Sequence, residues 1–126
     1  MPAPTLDEFF NGFPASRPLF DALLSAAEEL GEVELTVQKS QIVLRRARPF
    51  AWVWVPGRYL RGRTAPLVLS LSFPAPDPSP RWKEIVQVSR ARFMHHLELR
   101  SAAEIDAEVR AWLRQGWQAA GRDLPA

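Results

Sequence analysis

Between Lys39 and Arg63 the chain reads KSQIVLRRARPFAWVWVPGRYLRGR, which holds seven cations, Lys39, Arg45, Arg46, Arg48, Arg58, Arg61 and Arg63, and no acid. Beyond Phe50 it also holds three large rings, Trp52, Trp54 and Tyr59. Cations spaced along one surface neutralise a phosphate backbone, and flat rings stack on unpaired bases. This mixture therefore suits an anionic partner, single-stranded or other nucleic acid foremost, with Trp52 and Trp54 as an aromatic platform. Every Asp and Glu lies outside the span from Leu35 to Pro76, so the formal net charge of +2 conceals a basic middle between two acid-bearing ends. The competing reading is ordinary: loop arginines on a small domain are solvated, or neutralised by acids that fold back onto them.

A second group of residues could do other chemistry. Ser70, Ser72, His96 and Glu98 share one strand parity and could line a ligand face, although no further residue orients an acid and base pair there. His95 and His96 are adjacent on an expected strand, so their side chains point to opposite faces and cannot chelate one ion together. His95 runs in phase with Leu97 and Leu99, which predicts an inward, hydrogen-bonded structural role. The chain has no cysteine, which excludes disulfides and thiolate chemistry. It also lacks a glycine-rich phosphate loop, a GxSxG elbow and an HExxH pair. These readings assign no catalytic residue, metal ligand or cofactor.

The elements that must position these residues follow from local pattern. Thr5 stands three residues before Glu8, the spacing of a capping box, and predicts a short helix from Leu6 to about Asn11, broken by Gly12 and Pro14. Ser16, with Pro18 in the first turn, opens a second helix whose apolar face carries Leu19, Phe20, Leu23, Leu24, Ala27 and Leu30 and which stops at Gly31. The period then changes to two, with Val33, Leu35 and Val37 alternating against polar residues. Ile42, Val43 and Leu44 in succession predict a central strand over Gln41 to Arg46. Phe50 to Val55 and Leu67 to Phe73 read as strands on either side of a basic loop from Arg58 to Pro66. The proline-rich segment Pro74 to Pro80 lacks the donors of a sheet interior and is expected to be an exposed loop. Trp82 to Val88 fits either a short helix or a strand, and Phe93 to Arg100 a strand. Ser101 and Glu104 form another capping box, from which a final helix, striped with Ile105, Val109, Trp112, Leu113, Gly116, Trp117 and Ala120, is expected to run to Gly121. Trp82, Trp112 and Trp117 read as core.

The resulting expectation is an α+β domain of two layers, a mainly antiparallel sheet of about five strands with the N-terminal and C-terminal helices packed on one face. Residues 1–126 form one domain, since a chain this short holds one core, with short flexible ends at about 1–4 and 122–126. No apolar run is long enough for a membrane span and the N-terminus lacks a secretory layout, so a cytoplasmic protein is expected.

The face taken by the indoles depends on hairpin register. Phe50, Trp52 and Trp54 alternate with Ala51, Val53 and Val55, and a slip of one residue exchanges the two sets. If Ala51 and Val53 lie beneath the helices, the Trp pair stands on the second face beside Thr36, Gln38, Arg45, Ser70, Ser72 and His96. If the Trp pair lies beneath them, it is core. At about 25 cal/mol per Å² of apolar area, burying two indoles favours the core reading. A third outcome is a homodimer or protein interface across the aromatic face.

The segments QKSQIVLRRARPFAWVWVP, LVLSLSF and FMHHLELRSAAEIDAEVRAWLRQGW together resemble the bacterial family catalogued as domain of unknown function 5655, over about Leu6 to Ala120. The matching features are Lys39 with Ile42, the Arg45-Arg46 cluster before Phe50-Ala51, His95 with Leu97 and Leu99, and the Glu108 to Trp112 helix with Leu113-Arg114. The resemblance implies no established activity. It implies that members occur alone or as C-terminal appendages, sometimes beside nuclease-like domains, an associative pointer to nucleic acid.

Overall fold

A computed structural model describes residues 2–121; Met1 and the expected flexible end at 122–126 lie outside the described residues. Six strands form one antiparallel sheet: β1 (Glu34–Val37), β2 (Ile42–Arg45), β3 (Pro49–Trp54), β4 (Leu67–Phe73), β5 (Glu84–Ser89) and β6 (Arg92–Leu99). Their spatial order is β1-β2-β3-β4-β6-β5. The sheet therefore has one strand more than expected. The segment that fitted either helix or strand supplies it, because β5 pairs with β6 through a tight turn at Arg90 and Ala91.

Three helices accompany the sheet: α1 (Leu6–Phe9), α2 (Ser16–Glu28) and α3 (Ala107–Ala120). The capping box expected at the first of them is present, with Thr5 accepting from the Glu8 amide and the Glu8 carboxylate accepting from the Thr5 amide. α2 and α3 lie together on one face of the sheet. Phe20, Leu23 and Ala27 of α2 and Val109, Trp112 and Leu113 of α3 are buried against Leu44, Ala51, Val53, Leu69, Leu71 and Leu97. Gly31 has φ +149°, and a Cβ there would come within 2.5 Å of the Trp117 ring, so both backbone and packing require glycine at this corner.

The C-terminal capping box does not open the last helix. Ser101 and Glu104 close a 3-10 turn over Ala102–Glu104 instead. Ile105 then leaves helical geometry (φ −83°, ψ 69°) with its side chain buried in the core. α3 starts only at Ala107, where the Asp106 carboxylate accepts from the Val109 amide at 3.1 Å.

Pro74 to Pro80 is an exposed loop, as expected, but its centre is pinned. Asp77 turns inward, where Oδ1 accepts from the Ser79 amide and the Trp82 indole and Oδ2 accepts from the Trp112 indole at 3.2 Å. The Asp77 amide donates to His95 Nε2, while His95 Nδ1 bonds Phe93 O, so both nitrogens of this fully buried ring are hydrogen-bonded within the protein. Burial pushes the Asp77 carboxyl up, and the Ser79 amide with the two indoles outweighs it, leaving the group below the usual carboxylate range.

Candidate functional site

Antiparallel register decides what the second face of the sheet carries. Ala51 and Val53 are fully buried beneath the helices, opposite Leu71 and Leu69. Trp52 lies opposite Ser70 and Ser70 opposite His96, while Trp54 lies opposite Val68 and Val68 opposite Glu98. Both indoles are thus half-buried on the face away from α2 and α3, and the expectation that burial energy would draw them into the core is overturned. The parity of Ala51 and Val53 carries Ile42, Leu44, Leu67, Leu69, Leu71, Leu97 and Leu99 across the sheet, all buried beneath the helices, so a slip of one residue would expose that set to cover two indoles. Phe50 itself departs from the alternation expected of it, since a register shift between Leu44 and Arg45 accompanies its burial in the helical layer.

The open face is concave. A cleft of about 280 Å³ is lined by Trp52 and Trp54 from β3, by Val88, Arg92 and Met94 from the β5–β6 hairpin, and by Ser70, His96 and Gln41. Ser70 Oγ and His96 Nδ1 are 2.6 Å apart. Burial lowers the pKa of His96 from the ordinary histidine value, with Glu84 opposing and His95 reinforcing the shift, which favours the neutral ring. The Arg92 guanidinium lies 5.7 Å from the Trp52 ring centroid, and its Nε donates to Ser72 Oγ. Tyr59 extends the aromatic row, its ring centroid 6.5 Å from that of Trp54.

Of the four residues read as a ligand face, Ser70 and His96 line this cleft. Ser72 is held by Arg92 beside it. Glu98 does not join His96; it pairs with Lys83 at 3.3 Å and Arg100 at 3.5 Å. Arg92, Met94, Val88 and Gln41 escaped the reading of the sequence. For Arg92 and Met94 a signal existed, because both share the strand parity of His96 and Glu98.

The seven basic residues do not form one surface. Arg46 Nη1 donates to Trp117 O at 2.9 Å and its guanidinium stacks 3.5 Å from the Trp117 ring centroid. The Arg48 side chain donates to Ala119 O and its amide to Ala120 O, and the Gly121 amide takes Gln118 O. The β2–β3 turn and Gly121 thereby satisfy the last four carbonyls of α3, with two cations at the negative end of its dipole. Arg58 donates to Phe9 O at the end of α1, with its guanidinium 4.8 Å from the Phe9 ring and 5.4 Å from that of Phe13. Lys39, Arg61 and Arg63 are exposed in turns, and Arg45 makes only a 3.5 Å contact to Ala47 O. Substituting Arg46 or Arg48 by Ala should therefore act on folding: each is expected to cost about 1–2 kcal/mol and lower the thermal midpoint by several degrees, with faster amide exchange in the last turn of α3.

Among the described residues no cluster of His, Asp and Glu could hold a metal ion, and no helix is long and apolar enough to cross a membrane. The fold and face together define a two-layer α+β domain whose helices cover one side of an antiparallel sheet and leave an aromatic cleft on the other. The chain belongs to the family described as Domain of unknown function (DUF5655), whose model matches residues 6–120. Comparison with the curated proteins, and with solved structures, returns no match.

Proposed function

We propose that this domain binds single-stranded nucleic acid on the uncovered face of its sheet, with the strand lying along β3 and without catalysis. The supporting observation is the row of Trp52, Trp54 and Tyr59 beside the cleft. Side chains two apart on a strand are spaced by about 6.6–7 Å, a repeat that suits successive bases drawn out of their own stack. Base stacking on aromatic rings tolerates any sequence, since every base has a π face. Cations flank the row at both ends: Lys39, Arg61 and Arg63 in the turns at the Trp54 end, and Arg45 with Arg92 at the other. Compared with the reading of the sequence alone, the site moves from the basic hairpin to the sheet, and Arg46, Arg48 and Arg58 drop out of it.

Titration of a short single-stranded oligonucleotide, followed by quenching of indole fluorescence, tests this. With about four phosphates neutralised, log affinity should fall against log salt with a slope near −3, at about 0.7 per contact. A flat response would remove the phosphate contacts from the reading.

A homodimer across the same region is the second reading. It is favoured by the exposure of Val86 and Val88 on β5, an edge strand with free backbone groups. It predicts a mass that rises with concentration in sedimentation.

A further inference from the structure

The cleft beside the aromatic row is built differently from its rim. Trp52, Trp54, Val88 and Met94 give it rings and apolar stems, and Ser70, His96, Arg92 and Gln41 give it polar atoms. At about 280 Å³ it falls just below the ~300 Å³ at which sites for drug-sized molecules begin, so it admits one flat ring system and little more. A lining of this kind suits a heterocycle, with rings and stems against its face and polar groups at its edge.

Gln41 Nε2 already donates to Gln38 Oε1 and Arg92 Nε to Ser72 Oγ, which turns the hydrogen-bond accounting to Ser70 and His96. Ser70 is only 3 % exposed, and His96 Nδ1 is the one hydrogen-bond partner of its hydroxyl among the described residues. A buried hydroxyl hydrogen left without an acceptor costs about 1–3 kcal/mol, so the arrangement in which Ser70 donates and Nδ1 accepts is the one that satisfies both groups within the protein. In a neutral imidazole the proton then resides on Nε2. His96 presents a single N–H donor, held in orientation by Ser70.

Resting on the nucleic-acid reading above, we propose that the cleft takes one base turned out of the bound strand, and that His96 Nε2–H donates to an acceptor on that base's edge. The aromatic row then supplies affinity that is blind to sequence, and His96 supplies preference at one position. Ser70 is a positioning residue, acting through the tautomer of His96.

The test compares short homopolymers of each of the four bases, and a sugar-phosphate strand without bases, against the wild-type protein, His96→Phe and Ser70→Ala. The wild type should rank the four homopolymers over about a three- to tenfold span, the worth of one hydrogen bond, and bind the baseless strand worst. His96→Phe keeps a ring in place and removes the donor; it should flatten the ranking and leave the salt slope unchanged. Ser70→Ala should narrow the ranking. Nitrogen NMR of the His96 imidazole gives a measurement independent of the variants: on adding the preferred strand, the Nε2 resonance should move and Nδ1 should hold. If strands bind and the ranking survives His96→Phe, or Nε2 does not respond, the base-reading role is overturned while the binding face stands. If no strand binds, both fall.

Discussion

Trp112→Ala should lower the unfolding free energy by about 3–5 kcal/mol, a large share of the ~5–15 kcal/mol available to a domain. The Trp112 ring is 5 % exposed and its centroid lies 4.1 Å from that of Trp82, which in turn stands edge-on to His95 at 4.9 Å. Truncation removes the stacked indole and opens a cavity in the layer between α3 and the sheet. It also strips Asp77 Oδ2 of its donor, so a carboxylate drawn inward loses one of its three stabilising bonds. Urea denaturation checks the result through a fall in the midpoint at unchanged slope, and Trp112→Phe should recover part of the loss. The same network has a pH signature. Because the folded Asp77 pKa lies below the unfolded value, its contribution is fully present above about pH 4 and is lost as pH falls through the folded pKa. Asp77→Asn should remove that component of acid sensitivity; an unchanged acid profile would show that the carboxylate is not what holds the loop.

Trp52→Ala and Trp54→Ala should each cost about 1–3 kcal/mol of affinity for single-stranded nucleic acid, the worth of one stacked base, and their combination should bring binding close to the limit of detection. Both rings are half-buried on the open face, outside the layer of α2 and α3, so the fold should survive the substitutions at a lower thermal midpoint. Affinity changed less than twofold in the double variant, with the fold intact by circular dichroism, would remove the aromatic row from the interface. Arg46→Ala is the control in the opposite direction: stability should fall while the intrinsic affinity of the folded protein holds, because its guanidinium is committed to Trp117.

Much of the architecture was legible because it is written locally. The Thr5 and Glu8 box, the apolar stripe of α2, and the alternation of Leu67, Leu69, Leu71 and Phe73 each depend on residues within a few positions of one another. The same locality misled at Ser101. The box there is real, yet it caps a single 3-10 turn, since Ile105 follows the core instead of the helix axis. β5 was ambiguous for a related reason. It is an edge strand whose side chains are mostly exposed, so burial imposed little periodicity on them.

The candidate site was legible in parity and illegible in side. Alternation alone puts Ser70 with Ser72 and His96 with Glu98, and groups Trp52 with Trp54. Charge segregation likewise marks the stretch from Lys39 to Arg63. Which parity faces water is a sum over every strand of what the helices can cover, and Ile42, Leu44, Ala51, Val53, Leu67, Leu69, Leu71, Leu97 and Leu99 together bury more apolar surface on the helix side than two indoles would. The fate of the arginines is non-local too: Arg46 and Arg48 find carbonyls 71 residues away, and Arg58 finds one 49 residues back. A cation's type is a property of its position in the chain. Its availability to a partner depends on which helix end folding brings beside it, where unpaired carbonyls compete for the same guanidinium.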